Sequence, residues 1–294
     1  MLRAATRGSE LALWQARHVA SLLDEPVEEV VVETTGDRNR DTPIWEIGGR
    51  GVFVKEVQAA VLDGRADFAV QSAKDLPAGS VPGLVLAAVP ERGDARDAMV
   101  GRALDDLPAG ARVATGAVRR RAQLASLRPD LTFAGIRGNV DTRLRKATNF
   151  SGVVMAAAAL QRLGRIEQAA ELFDPRLIVP QVAQGALAVE CRDDDDRITE
   201  KLAAVEHGPS RRAVDAERAY LAELGGGCDL PVGAHAQLVD GTIRLTAILA
   251  TLDGRIVIRS SREGDDPEQL GRSAATEILE ESGGTWLLEG ASRA

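Results

Sequence analysis

Apolar positions change their period several times along the chain. Leu2–Ala5 is a short apolar run that predicts a strand. From there Leu11, Ala12, Trp14, Ala16, Val19 and Leu23 recur at helical spacing, with Ser9 ahead of them as an N-cap. The β-branched valines of Val27–Thr35 predict a buried strand. Gly36–Gly51 mixes glycine with charge and reads as a loop, and Val52–Leu62 reads as a helix with Gly64 as its C-cap. Ala66–Val70 predicts a strand ending in the turn Gln71–Pro77.

A second β/α series starts near Asp94. Ala111–Thr115, Leu131–Ile136 and the almost continuous apolar run Gly152–Ala158 predict strands, and Val118–Leu127 and Val140–Ala147 predict helices. Leu177–Val179 and Ala186–Cys191 add extended segments, and the acidic run Asp193–Asp196 reads as a solvated loop. Such alternation predicts two α/β units on mostly parallel sheets, with ligands at the carboxyl ends of the strands. After that the pattern changes. Ala236–Val239, Thr242–Leu249 and Arg255–Ser260 are separated by Asp240-Gly241 and Asp253-Gly254, which are strong hairpin signals. Leu270, Ala274, Ile278 and Leu279 then share one face of a helix from Pro267 to about Glu281. The third unit is thus a small antiparallel sheet with helical cover.

Composition narrows the function. A chain of 294 residues exceeds what one core usually organises, so two or three domains are expected. A net charge of −8 argues against a general nucleic-acid binder. Thirty-two of the 36 basic residues are arginine, the four lysines being Lys55, Lys74, Lys146 and Lys201. A GC-rich genome accounts for many arginines, and a guanidinium fork also suits carboxylates and phosphates. Cys191 and Cys228 show neither metal-ligand spacing nor a disulfide framework, and His18, His207 and His235 are scattered. No metal is expected. Neither a signal sequence nor a membrane span is evident, which predicts a cytoplasmic protein without membrane or nucleic-acid partners. No coiled coil or large apolar stripe argues for assembly, so a monomer is expected.

Candidate chemistry lies at the predicted strand ends. Lys74 and Asp75 follow the Ala66–Val70 strand and precede Pro77. They form either a surface ion pair or a carboxylate placed to stabilise a cation and shuttle a proton. Arg7 precedes the Ser9 cap, and Arg119, Arg120 and Arg121 open a helix, where basic charge opposes the macrodipole. Arg137, Arg143 and Arg162 follow later strands, so arginine recurs at carboxyl ends. So many arginines can reach those places by chance; otherwise they mark a cleft for a polyanion, phosphate or carboxylate. Cys228 sits in Gly225-Gly226-Gly227-Cys228-Asp229-Leu230-Pro231, a setting for a reactive loop thiol, whereas Cys191 closes an apolar segment.

Taken together and in order, several segments resemble the hydroxymethylbilane synthases (porphobilinogen deaminases). They are Ala5-Thr6-Arg7, Gly48–Glu56, Lys74-Asp75-Leu76-Pro77, Arg119-Arg120, Arg137–Leu144, Arg162-Leu163-Gly164, Gln184-Gly185-Ala186-Leu187 and Gly226-Gly227-Cys228. The resemblance covers nearly the whole chain. It implies a dipyrromethane cofactor joined by a thioether to Cys228, on which four porphobilinogen units condense head to tail with loss of ammonia. Water then releases the linear tetrapyrrole hydroxymethylbilane. Asp75 would be the catalytic carboxylate, stabilising the cation left by ammonia. Arg7, Ser9, Lys74, Thr115, Arg119, Arg120, Arg137, Arg143 and Arg162 would bind carboxylates of cofactor or substrate, with Lys55 and Asp37 matching less securely. Gly36–Gly51 would be a mobile flap.

The implied fold has two α/β lobes like those of periplasmic binding proteins and a small α+β domain with a three-stranded antiparallel sheet. Domain 1 would comprise 1–92 and 186–204, domain 2 would be 93–185, and domain 3, carrying the cofactor cysteine, 205–294. Four positions depart from the family pattern. Gly116 and Ala117 follow Thr115 where Thr-Ser-Ser is usual, Gln71 stands where histidine is common, and Ala183 where glycine is common. A non-catalytic anion-binding protein and a phosphate-ester enzyme are the competing readings; the first leaves the glycine-flanked Cys228 unexplained, and the second ranks lower without a phosphate loop or metal cluster.

Overall fold

A computed structural model describes residues 1–38, 53–226 and 230–291, and among these it has thirteen strands and ten α-helices. The chain divides into two units, Met1–Gly93 with Gly185–Arg211, and Asp94–Gln184 with Arg212–Ala294. The first unit opens with β1 (Leu2–Arg7), α1 (Glu10–Ser21), β2 (Val27–Val32), α2 (Thr35–Arg38), α3 (Lys55–Leu62), β3 (Phe68–Ser72) and β4 (Leu84–Ala88). The second unit follows with β5 (Asp97–Gly101), β6 (Arg112–Thr115), α4 (Val118–Leu127), β7 (Thr132–Ala134), α5 (Val140–Lys146), β8 (Gly152–Ala156), α6 (Ala157–Arg162) and β9 (Ala169–Leu172). Back in the first unit come β10 (Leu187–Arg192) and α7 (Asp196–Leu202), and then α8 (Gly208–Glu223). The remainder is β11 (Val232–Val239), β12 (Thr242–Ala250), β13 (Val257–Gly264), α9 (Pro267–Thr276) and α10 (Gly284–Ala291).

The first sheet has the order β2-β1-β3-β10-β4. β1 runs parallel to β2 and β3, while β10 is antiparallel to both β3 and β4. Alternate side chains serve opposite faces: Leu2, Ala4, Phe68 and Val70 pack with Val19 of α1 and Ile198 and Leu202 of α7. Ala5 and Ala69 pack with Val57 and Val61 of α3 on the other face. The second sheet has the order β7-β6-β8-β5-β9, with β6 parallel to β7 and β8, and β5 antiparallel to β8 and β9. Both sheets are therefore mixed: four strands of each run in one direction, in line with the expectation of mostly parallel sheets, and one strand is reversed. A continuous apolar run reports burial and carries no information about strand direction.

The third sheet, β11-β12-β13, is antiparallel and lies in the second unit. Asp240 and Gly241 both adopt positive φ at its first hairpin, as the Asp-Gly signal requires. Tyr220 of α8 is fully buried and donates to the Ile248 carbonyl at 2.8 Å. Ala234 N–H donates to Pro180 O at 3.0 Å, which fastens β11 to the 179–184 segment. Gly233 permits that approach, since a Cβ there would stand 2.8 Å from Pro180 O and 3.1 Å from Arg119 Cδ.

Several local expectations change. Leu177–Val179 is not a strand: Val179 exchanges hydrogen bonds with the Gln123 carboxamide, so side chains satisfy its backbone. Asp195 does not lie in a plain solvated loop but caps α7, accepting from Ile198 N–H. The strands β4, β5 and β9 and the helix α8 were not foreseen. α8 buries Ala213, Val214, Ala216, Glu217 and Tyr220, an apolar stripe with an acid in its middle.

Candidate active site

In the first unit three parallel strands deliver their carboxyl ends to one edge of the sheet. Arg7 ends β1, and its guanidinium lies 4.3 Å from the centroid of the Phe53 ring. Phe53 in turn rests against Gly36, where an added Cβ would fall 2.1 Å from Cε1. Buried Thr6 donates to Ala12 O at 3.2 Å, and Ser9 Oγ accepts from Ala12 N–H at 3.3 Å, so α1 springs directly from the end of β1. Adjacent β3 runs into a short 3₁₀ turn, Ala73–Asp75. Ala73 and Leu76 anchor that turn in the core and leave Lys74 and Asp75 half-exposed. Arg7, Ser9, Lys74 and Asp75 thus lie on the ligand-facing edge expected for an α/β sheet. Lys55, the first residue of α3, is exposed, and Asp37 falls in α2.

In the second unit the parallel strands β6, β7 and β8 each lead into a helix. Thr115 ends β6, and its hydroxyl accepts from Ala117 N–H at 3.3 Å. Gly116 follows, with Arg143 above it: a Cβ there would lie 4.0 Å from Arg143 Nη2 and 3.0 Å from Ile136 O. Asn139 caps α5 by accepting from Thr142 N–H, and Arg143 of that helix donates through Nε to Gly138 O at 2.8 Å. Arg137 is half-buried in the loop between β7 and α5. Arg162 closes α6, and burial pushes its guanidinium down to about 10, so it remains a cation at neutral pH.

Arg119 and Arg120 have a different setting. Both are buried in the first turn of α4, 3% and 4% exposed, around a carboxylate that is wholly buried. Arg119 Nη2 donates to Asp97 Oδ2 at 2.7 Å and Arg120 Nε to Asp97 Oδ1 at 2.9 Å. Burial alone would raise the Asp97 carboxyl, but the charges of Arg119 and Arg120 overcome it and hold it at about 2. Burial likewise lowers Arg119, with Asp97 opposing. Arg119 Nη1 donates to Val179 O at 2.6 Å, and its Nε has no hydrogen-bond partner among the described residues. Gln184 completes the group: its amide nitrogen donates to Asp97 Oδ1 at 2.8 Å and Ala95 O at 2.7 Å, and its oxygen accepts from Arg120 Nη2.

Asp97 escaped notice in the sequence. A lone acid at the head of the apolar run Asp97–Val100 was the available sign that a buried cation faced it. Cys228 lies outside the described residues, as does most of the expected flap. The described cysteine, Cys191, is buried on β10 beside Thr199, and burial pushes its thiol up, which suits a packing residue.

Similarity to known proteins bears on this arrangement directly. The family model of the porphobilinogen deaminase dipyromethane cofactor-binding domain matches residues 2–200, and that of the porphobilinogen deaminase C-terminal domain matches 212–280. The chain belongs to the porphobilinogen deaminase family. The porphobilinogen deaminase of Pelobacter propionicus is 45% identical over 299 residues, covering 98% of this chain and 96% of the relative. That of Syntrophomonas wolfei is 42% identical over 300 residues, covering 98% of each. That of Nitratidesulfovibrio vulgaris is 44% identical over 302 residues, covering 97% of this chain and 95% of the relative. Membership makes the chain a transferase of porphyrin biosynthesis, with the hydroxymethylbilane synthase activity of its family and a dipyrromethane-binding domain in residues 2–200. No helix among the described residues is long and apolar enough to cross a membrane.

Proposed function

We propose that, in hydroxymethylbilane synthesis, the strand-end arginines hold pyrrole carboxylates while Asp75 carries the proton chemistry. One observation supports this reading above others. Basic side chains gather at the carboxyl ends of parallel strands in both sheets, and Asp75 stands half-exposed at the end of β3.

The residues present fit a dipyrrole bearing acetate and propionate groups. Gly116 leaves a cradle beneath Arg143 that a side chain would fill, and Arg143 keeps its Nη2 directed there while Nε is tied to Gly138. Arg143, Arg137 and Arg162 would hold carboxylates in the second unit, with Thr115 and the Arg119–Arg120 pair behind them. Arg7, Ser9 and Lys74 would do so in the first. When bound through Cys228, dipyrromethane supplies the primer to which porphobilinogen units are added. Asp75 would accept pyrrole N–H groups, stabilise the positive charge left when the aminomethyl C–N bond breaks, and pass a proton to the departing ammonia. The Asp75 carboxylate, having given up its proton, would be placed to take back the one displaced from the acceptor pyrrole as the new carbon–carbon bond replaces its C–H bond.

The same reading assigns domain 1 to 1–92 with 186–204, domain 2 to 93–185 and domain 3 to 205–294. It also takes the enzyme to be a cytoplasmic monomer with no nucleic-acid partner. Intact-mass measurement tests the attachment. The denatured protein should exceed its sequence mass by two condensed porphobilinogen units, on the peptide containing Cys228. Cys228→Ala should lose that mass and still fold; a retained adduct would overturn the assignment. Asp75→Ala should keep the adduct and lose turnover by roughly a hundredfold or more, whereas near-normal rates would remove Asp75 from the chemistry.

A further inference from the structure

A buried acid outside the proposed site is connected to it through one backbone peptide. Glu217 of α8 is wholly buried, and its carboxylate bridges two segments. One oxygen accepts from Ala236 N–H on β11 at 2.7 Å, and the other accepts from Ala183 N–H at 2.6 Å. His235 Nδ1 lies 3.8 Å from the same carboxylate. Ala183 is one of two non-glycine residues with positive φ among the described residues, at +58°. The other, Asp240, lies in an Asp-Gly hairpin that favours this conformation. Ala183 is the third residue of a turn closed by Gln184 N–H on Gln181 O at 2.9 Å, a place that accepts positive φ but favours glycine. The left-handed region disfavours a residue with a Cβ roughly tenfold or more, and the Glu217 contact adds to the turn's own hydrogen bond in holding it there.

The next residue is Gln184, whose carboxamide touches both Asp97 and Arg120. We propose that Glu217 is a positioning residue: by accepting the Ala183 N–H it holds that peptide left-handed, aims Gln184 at Asp97 and Arg120, and so sets the arginine pair for pyrrole carboxylates. A glycine at this position would require no such restraint. This chain has alanine and supplies the restraint from α8. The inference rests on reading the arginine pair as part of the carboxylate site.

A double-mutant cycle tests it on the holoenzyme. Glu217→Gln places an amide hydrogen against a backbone N–H and should raise KM for porphobilinogen about tenfold, with kcat changed far less. In the Ala183→Gly background, where the backbone adopts the required φ unaided, the same change should raise KM at most about twofold. Side-chain N–H resonances of Arg120 and Gln184 give a readout independent of turnover: they should move in Glu217→Gln and return in the double variant. An equal loss in both backgrounds would overturn the proposal and leave Glu217 as a tie for β11 alone. So would an unmoved KM together with unmoved resonances. If Glu217→Gln does not fold, Glu217→Asp, which keeps the charge on a shorter stem, enters the same cycle with the same criterion. Arg120→Leu separates the two readings. An unchanged KM there, with the resonance coupling intact between Glu217 and Gln184, would remove the arginine pair from the carboxylate site while keeping the positioning path.

Discussion

In the first sheet the strand order is β2-β1-β3-β10-β4 and in the second β7-β6-β8-β5-β9, and in each the fourth strand opposes both its neighbours. Each of those fourth strands carries a buried acid. Glu190 of β10 pairs in register with Ala69, and its carboxylate accepts from the Gln58 and Gln71 carboxamides at 2.9 to 3.2 Å. Asp97 of β5 pairs with Ala156 at the carboxyl end of β8 and accepts from two guanidinium groups. The shared plan puts an acid at the same place in the sheet order; its donors give it different consequences. The Gln58 and Gln71 carboxamides donate hydrogen bonds to Glu190, and Arg119 and Arg120 make Asp97 the counter-ion of two buried cations. Breaking the Asp97 group strands two buried charges and is therefore expected to be costly.

That comparison sets the order of expected effects. Asp97→Asn keeps the shape but leaves two buried guanidinium groups without their carboxylate, so a loss of about 3–5 kcal/mol is expected. Denaturant unfolding measures it, and a loss below about 1 kcal/mol would mean that solvent reaches the pair. The acid limb gives a second, smaller effect. Asp97 is held at about 2 when folded, below its unfolded value, so it binds fewer protons in the native state. Its contribution is complete above about pH 4 and is lost as the pH falls toward 2, on the order of 2 kcal/mol in all. The Asp97→Asn variant should lack this part of the acid-induced fall in stability; an identical acid limb in both proteins would contradict the assignment. Glu190→Gln comes next, at about 1–3 kcal/mol, because an amide donor then meets the Gln58 and Gln71 donors. A cost as large as that of Asp97→Asn would dissolve the contrast between the two sheets.

What was legible in the sequence was local. The cap at Ser9, the helix Val118–Leu127 and the Asp240-Gly241 hairpin depend on neighbours within a few residues, and the structure has all three. The antiparallel placement of β5 and β10 is set by partners far along the chain: Val189 pairs with Val70 and Ala98 with Met155. No residue in those strands encodes a direction. The arginine pair shows the same limit at the candidate site. Basic residues opening a helix were visible, but Asp97, which neutralises them, lies 22 positions upstream of Arg119 and Gln184 lies 64 positions downstream of Arg120. Glu217 was hidden because an acid among the charged residues of this helix reads as part of a solvent face until its backbone donors are known.

Gly116 offers the smallest expected effect and the finest test of the second sheet's edge. Its φ lies outside the left-handed range, so a side chain there meets a steric limit and no backbone one. The Cβ of Gly116→Ser would stand 3.0 Å from Ile136 O, and the loop between β7 and α5 would have to give by a few tenths of an ångström. A stability loss under about 1 kcal/mol is expected for so small an adjustment. The added hydroxyl would lie close to Arg143 Nη2, which is 4.0 Å from the Cβ position. If the cradle receives a pyrrole carboxylate, the hydroxyl adds a donor beside the guanidinium and KM for porphobilinogen should fall about two- to fivefold, one hydrogen bond's net worth. Thermal unfolding and steady-state kinetics on the same preparation separate the two effects. A small stability loss with lower KM places Arg143 at the carboxylate; the same loss with unchanged KM would make Arg143 a brace for the Gly138 turn and move the carboxylate to Arg137 or Arg162.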